Sequence, residues 1–354
     1  MSRFFSSRFS TLKPYVPGEQ PQDMQYVKLN TNESPFPPSA KAQEYAKKEA
    51  DALMLYPDPD YNVLREKLAD VYHVMKDEVI VGNGSDEILD FAFAAFCEDG
   101  AVFPDTSYGF YPVFAQLNAI SYREIPVNEA TLAIDPADYC GVNKTVFLAN
   151  PNAPSGIALP LADIEMILKS NPNNVVVIDE AYVDFGAESA VPLIKKYDNL
   201  LVVQTFSKSR SFAGARFGFG IASPALISDM NTIRCSTNPY NVSRITAAAA
   251  IGALEDESYT KTNCSRIIET REMVTKKLRE LGFMVLDSSA NFIFVRHPDI
   301  SGKDLYLTLK KRGVLVRHFD KSKIAAYNRI TIGSPAQMDC LISELEHIIN
   351  EVHI

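Results

Sequence analysis

The chain has 354 residues, 46% of them hydrophobic and 22% charged, with a net charge of −9 and a pI near 5.2. Such a length suggests about two domains and buries a large core without crosslinks. The acidic balance argues against a nucleic-acid surface, whose usual footprint is a basic patch, but leaves room for a local basic pocket.

No run approaches the roughly 18 apolar residues of a membrane span. The first ten residues, MSRFFSSRFS, carry arginines and serines that faintly suggest a transit peptide, but no apolar run of signal-peptide length. Cys97, Cys140, Cys235, Cys264 and Cys340 are odd in number and widely spaced, with no C-x-x-C pair. That fits a reduced, cytoplasmic protein.

In chain order, residues 1–35 read as an ordered, proline-rich arm. Residues 40–54 and 61–73 read as amphipathic helices, with VLREKLADVY keeping a 3–4 spacing. Strands and helices then alternate. EVIV (78–81) leads into the helix of GNGSDEILDFAFAAF, and AVFP (100–103) precedes a helix near 108–119. TVFLAN (145–150), VVVID (175–179), LLVVQTF (200–206) and GFGIA (218–222) are short apolar runs bounded by turn residues. Runs of that kind suit strands buried on both faces of a mostly parallel sheet. The expected fold class is therefore α/β, a sheet covered by helices. Residues 241–281 read as helical, in part as one long connector. FMVL, NFIFV, VLVRHF and RITIG then alternate with helices near 301–312 and 336–351, as in a smaller α+β unit. The expected division is an arm at 1–35 packed on the small domain, a large domain at 36–250 and a small domain at 251–354.

Three motifs carry chemistry. In TFSKSRSFAGARFGFG (205–220), Lys208 follows a strand, at the edge of an open α/β sheet where ligands bind. With Ser207 beside it and Arg216 eight residues on, it could hold a carbonyl cofactor and its phosphate, since a desolvated lysine amine is what Schiff-base chemistry needs. In VVVIDEAYVDF (175–185), Asp179 ends an aliphatic strand, where a carboxylate is costly unless paired with a cation such as a pyridinium nitrogen. Tyr182, three residues on, could donate to a phenolate oxygen on the same ring. A metal site of Walker B type falls away, because no G-x-x-x-x-G-K-[ST] accompanies it; no metal is expected. In GNGSDE (82–87), two glycines precede a helix whose first N–H groups, at Ser85 and Asp86, could receive a phosphate. A simple strand–helix turn capped by Ser85 reads equally well there. Tyr108 in PDTSYGFY is a candidate to stack on a flat ring, and NPNAPSG (150–156) is a loop after a strand.

Together these segments resemble the fold-type-I aminotransferases, and specifically the histidinol-phosphate aminotransferase family. PYVPGEQP (14–21), KLNTNESPFPPS (28–39), YPDPDYNVLREKLA (56–69), GNGSDEILD (82–90), DTSYGFY (105–111), NPNAPSG, DEAY (179–182), TFSKSRSFAGARFGFG and RITIG (329–333) follow the family's order along nearly the whole chain. The resemblance implies pyridoxal 5'-phosphate as cofactor. Lys208 would be the Schiff-base lysine, Asp179 the partner of the ring nitrogen, Tyr182 the donor to the ring oxygen and Tyr108 the stacking aromatic. Ser85, Asp86, Ser207 and Arg216 would cradle the phosphate. Tyr56 would reach that phosphate from the other subunit of a homodimer. Arg329 and Arg317 would bind the substrate's anionic group, and Tyr15 would border the substrate from the arm. One departure stands out: relatives carry an asparagine before Pro-[Thr/Ser]-Gly, where this chain has Ala153, so Asn152 is a candidate substitute at the ring oxygen.

The implied reaction is transamination between L-histidinol phosphate and 2-oxoglutarate. Three alternatives stay open from sequence: an aminotransferase of the same family with aromatic or other donors, a threonine-phosphate decarboxylase, and a non-catalytic regulator of the same fold.

Overall fold

The computed structural model describes residues 2–352. After the arm come strand β1 (Val27–Lys28) and helices α1 (Ala40–Glu49) and α2 (Asn62–Tyr72). The apolar runs then build one seven-stranded sheet from β2 (Val79–Gly82), β3 (Ala101–Pro104), β4 (Tyr122–Ile125), β5 (Thr145–Ala149), β6 (Val176–Asp179), β7 (Leu200–Thr205) and β8 (Gly218–Ala222). The spatial order is β2-β8-β7-β6-β5-β3-β4. Strands β4, β3, β5, β6 and β7 are mutually parallel, and β8 runs antiparallel between β7 and β2.

Helices α3 (Ser85–Phe96), α4 (Tyr111–Leu117), α5 (Leu161–Ser170), α6 (Pro224–Thr237) and α7 (Arg244–Leu254) lie between and after the strands. Successive strand side chains point to opposite faces, and each face has its own helical cover. Val146, Leu148, Val176 and Ile178 pack with Ile164 and Ile167 of α5. Phe147, Val177, Leu201 and Val203 pack with Leu89 and Phe93 of α3 and Met230 of α6. Burial on both faces explains why these strands read as continuous apolar runs.

The helical stretch after residue 241 is two helices, α7 and then α8 (Glu257–Glu280), with a break at Glu255 and Asp256. Beyond α8 come β9 (Met284–Val285), β10 (Phe292–Arg296), α9 (Gly302–Lys311), β11 (Val314–Leu315), β12 (Arg317–His318), β13 (Asn328–Thr331) and α10 (Pro335–Val352). Four of these strands form an antiparallel sheet ordered β12-β13-β10-β9, and β11 pairs in parallel with β1 of the arm. Their core joins Val274 and Leu278 of α8, Leu309 of α9, Leu341 and Leu345 of α10, Ile293 of β10 and Leu29 beside β1. Each such side chain contributes about 1.5–3 kcal/mol by leaving water. Among the described residues, no helix is long and apolar enough to cross a membrane, and no cluster of His, Cys, Asp or Glu is arranged to hold a metal ion.

Since β2, β3, β5, β6 and β7 all point the same way, the segments that leave them emerge at one edge of the sheet. That edge of an open α/β sheet is where ligands settle.

Candidate active site

Asp179 is the last residue of β6, in register with Ala149 of β5 and Val203 of β7. It is 5% exposed and has no cationic side chain within ion-pairing distance among the described residues. Its Oδ2 accepts from the Tyr111 hydroxyl at 3.0 Å, and its Oδ1 from the Ala181 N–H at 3.2 Å. Burial dominates, and pushes the carboxyl up to about 7 although both hydrogen bonds pull it down. A buried carboxylate in this state is built to receive a cation.

Lys208 follows β7 and lines the same cleft, its Nζ donating to the carbonyl of Thr31 at 3.2 Å and lying 5.8 Å from the Tyr182 ring centre. Tyr182 stands edge-on to Phe292, with ring centres 5.0 Å apart. Tyr108 closes the cleft from the side of β3, edge-on to Tyr111 at 5.7 Å.

Below these groups is the N-terminus of α3. Its N-cap is Gly84, with φ of +80° and no side-chain cap, so the first N–H groups at Ser85 and Asp86 keep their donors free. A Cβ on Gly84 would lie 2.5 Å from Nη2 of Arg216, and one on Gly218 would run into the backbone of Gly84 and Ser85. Only glycine leaves this hollow open. Arg216, itself at φ +55°, sends Nη2 to Asp86 Oδ2 at 2.9 Å, and the Tyr108 hydroxyl donates to Asp86 Oδ1 at 2.6 Å. Ser207 borders the hollow, its N–H donating to the Thr205 hydroxyl at 3.1 Å. An uncapped helix end, a guanidinium and a small-residue hollow suit a phosphate.

A second cavity, of about 300 Å³, opens from the first and shares Lys208, Tyr182, Tyr108 and Ala153 with it. Arg317 of β12 and Arg329 of β13 face each other across the strand pair and line it together. Neither lies within ion-pairing distance of a carboxylate among the described residues. Arg329 donates to the Asn30 carbonyl at 3.2 Å and stacks over Phe292, while its buried Nε has no partner. Burial holds its guanidinium below the ordinary arginine range. Arg317 donates to the carbonyls of Val16 and Pro17, both at 3.2 Å. Tyr15 of the arm stacks on Phe110 at 4.1 Å and completes the wall, its hydroxyl pushed above the usual tyrosine range by burial.

Two expected residues fall outside the cleft. Asn152 is buried elsewhere: its Oδ1 accepts from Ser107 Oγ at 2.7 Å and its Nδ2 donates to the Thr106 carbonyl at 3.0 Å. Both polar atoms are engaged in holding the β3 loop, and the residue that lines the cavities is Ala153. The structure therefore does not bring Asn152 forward as a substitute for the missing asparagine. Tyr56 is 76% exposed, stacks on Tyr240 at 4.5 Å and lines neither cavity of its own chain.

Sequence reasoning missed two polar residues that the site uses. Tyr111 lies inside the DTSYGFY segment, but its contact to Asp179 spans 68 residues and leaves no local pattern. Asn32 donates to the Tyr182 hydroxyl at 3.0 Å from a loop 150 residues away. Its segment, NTNES, was legible as a motif and its side-chain partner was not.

The geometry has close counterparts. The model of the family described as aminotransferase class I and II matches residues 24–345. A histidinol-phosphate aminotransferase of Brachyspira hyodysenteriae is 46% identical over 353 residues, covering 99% of each chain. One of Marinomonas is 49% identical over 352 residues, covering 98% of this chain and 99% of that one. The histidinol-phosphate aminotransferase of Sinorhizobium meliloti, solved in complex with pyridoxal-5'-phosphate, superposes with a TM-score of 0.86 at 25% identity, over 99% of this chain and all of that one. An α/β sheet edge that gathers a lysine, a buried carboxylate and an uncapped helix N-terminus around one hollow is what a pyridoxal-phosphate transferase requires. The chain belongs to the class I and II aminotransferases and, within them, to the histidinol-phosphate aminotransferase family. Its cofactor is pyridoxal 5'-phosphate, and the uncapped helix end, the glycine hollow and the cation-seeking Asp179 all fit that group.

Proposed function

We propose that this aminotransferase moves the amino group of L-histidinol phosphate to 2-oxoglutarate, yielding imidazole acetol phosphate and L-glutamate in histidine biosynthesis. The observation that carries this reading is the pair Arg317 and Arg329, free of carboxylates, in a cavity that shares Lys208 with the cofactor hollow. A phosphate monoester is a dianion at neutral pH, and two guanidinium forks match it. The names of the relatives at 46% and 49% identity support the same donor.

When bound, the cofactor supplies an electron sink for the charge left at Cα on loss of its proton. The chain's residues do the rest. Lys208 anchors the cofactor and, once displaced by substrate, moves the proton at Cα as base and then acid. Asp179 holds the ring nitrogen protonated by its charge. Tyr182 donates to the ring oxygen, and Tyr108 stacks on the ring. The N–H groups at Ser85 and Asp86, with Ser207 and Arg216, hold the phosphate. Arg329, Arg317 and Tyr15 orient the substrate's anionic end and accept a carboxylate of glutamate in the other half-reaction. In this reading the large domain (36–250) carries the cofactor residues. The arm (1–35) and small domain (251–354) carry the substrate residues, a division supported by the pairing of β1 with β11.

The active unit is a homodimer in this reading, with Tyr56 of one protomer reaching the phosphate of the other. Support comes from the exposed apolar run Leu53, Met54, Leu55 and Tyr56, which a lone protomer leaves in water. Five free cysteines accord with a reducing, cytoplasmic setting. The test is kcat/KM for L-histidinol phosphate against phenylalanine, tyrosine and threonine phosphate. Histidinol phosphate is expected to lead. A tenfold lead for any other donor, about 1.4 kcal/mol of transition-state binding, or release of carbon dioxide from threonine phosphate, would overturn the assignment.

A further inference from the structure

Asn32 and Thr331, residues of the NTNES and RITIG motifs to which the catalytic reading gives no role, meet in space. Asn32 is 1% exposed and holds φ of +57°, a left-handed conformation that asparagine adopts more readily than most residues. Its N–H donates to Thr331 Oγ1 at 2.9 Å, and its carbonyl accepts from Asn291 Nδ2 at 3.0 Å. The Thr331 hydroxyl in turn donates to Asn32 Oδ1 at 3.0 Å. With the amide reversed, that hydroxyl hydrogen would have no acceptor in a place only 3% exposed, at a cost buried polar groups avoid. The amide is thus oriented, and its Nδ2 donates to the Tyr182 oxygen at 3.0 Å.

We propose that Asn32 is a positioning residue that acts through Tyr182: by donating to the phenol oxygen it directs the phenol's own hydrogen into the cleft, strengthening the one side-chain donor left at the cofactor's ring oxygen where Ala153 replaces an asparagine. The proposal rests on the reading of Tyr182 as that donor. An N–H bond to a hydroxyl oxygen polarises its O–H and makes it a better donor. Asn32 is itself tied down by three bonds from Thr331 and Asn291, so the direction is fixed before anything binds. Lys208, Arg329, Tyr15 and Tyr111 are the other titratable groups acting on or near Tyr182, and none of them bonds to its oxygen.

The test uses the holoenzyme and follows the pH midpoint of its visible absorption band, which reports the proton held between the Lys208 nitrogen and the ring oxygen. A donor to that oxygen favours the deprotonated form, in which the oxygen's charge is otherwise uncompensated, so losing the donor raises the midpoint. Tyr182→Phe is expected to raise it most. Asn32→Gly, which tolerates the left-handed backbone, is expected to raise it by about half a unit to one unit, and to add nothing in the Tyr182→Phe background. Thr331→Val, which frees the amide without touching Asn32, is expected to shift it the same way by less, and serves if Asn32→Gly fails to fold. A midpoint unmoved by both variants while Tyr182→Phe moves it overturns the proposal, as does an Asn32→Gly shift that persists in full without the Tyr182 hydroxyl. A midpoint unmoved by Tyr182→Phe itself overturns the underlying role of Tyr182, and this proposal with it.

Discussion

The two halves of the cleft are finished to different degrees. In the cofactor half the polar groups are already bonded to one another: Arg216 and Tyr108 to Asp86, Tyr111 to Asp179, Thr205 to Ser207. In the substrate half Arg317 and Arg329 hydrogen-bond only to backbone carbonyls and otherwise lie over aromatic rings, and one guanidinium nitrogen of Arg329 is buried without a partner. A preorganised hollow suits a resident group that never leaves. Loosely held cations suit a site that must accept two different anions in turn, because no strong internal ion pair has to be broken each time.

If the cofactor half is the chemical half, its loss should dominate. Lys208→Ala is expected to lower turnover by roughly 10²–10⁴-fold or more, measured by single-turnover formation of the keto product; near-normal turnover would end the assignment. Asp179→Asn bears on how the hollow is held without its cofactor. The folded-state carboxyl sits near 7, above its unfolded value, so the folded state binds the proton more tightly. Stability of the cofactor-free protein should then be highest below pH 4 as far as this group is concerned, and fall as pH rises from about 4 to about 7, by on the order of 4 kcal/mol at most. Thermal melts of Asp179→Asn should show a shallower fall than the parent across that window, with the remainder owed to buried Glu180, also pushed up to about 7 by burial. An identical slope in both proteins would show that Asp179 is not the strained group.

The substrate half should respond more mildly and in both directions of transfer. Arg329→Ala is expected to lower kcat/KM by roughly 10–100-fold for donor and acceptor alike, and Arg317→Ala by less, since its guanidinium is more open to water. A loss confined to one half-reaction would break the idea of a shared anion site. The smallest effect concerns Asn152→Ala. It should leave the absorption spectrum of bound cofactor unchanged while lowering stability by about 1–3 kcal/mol, through the partners it leaves unsatisfied at Thr106 and Ser107. A shifted spectrum would return Asn152 to the site.

Much of this was legible in the chain itself. The buried strands announce themselves as apolar runs, and Lys208 and Asp179 stand out because polar residues end such runs. Strand β4 was not legible, because three of its four residues face solvent at the sheet edge and give neither run nor alternation. Helix α6 was obscured by the Ser, Thr and Asn residues of PALISDMNTIRCST, which favour caps and turns. The long connector read over ESYTKTNCSRIIETREMVTKKLREL is the single helix α8, but the helical pattern from 241 onward did not show the break at Glu255 and Asp256 that sets α7 apart, since helical spacing carries across two residues. In the site, adjacency in sequence misled: Asn152 neighbours Ala153, yet consecutive loop residues point different ways, and its amide serves the β3 loop instead. The bonds that set Tyr111 and Asn32 in place join segments 68 and 150 residues apart, and no local pattern encodes them.

The central claim, that the cofactor half is organised around a covalently held pyridoxal phosphate, is tested most directly by borohydride reduction of the purified holoenzyme followed by peptide mapping. The visible band is expected to bleach and a single reduced pyridoxyl adduct to map to Lys208. An adduct on a different lysine, or a cofactor that washes out after reduction with no adduct at all, would contradict it.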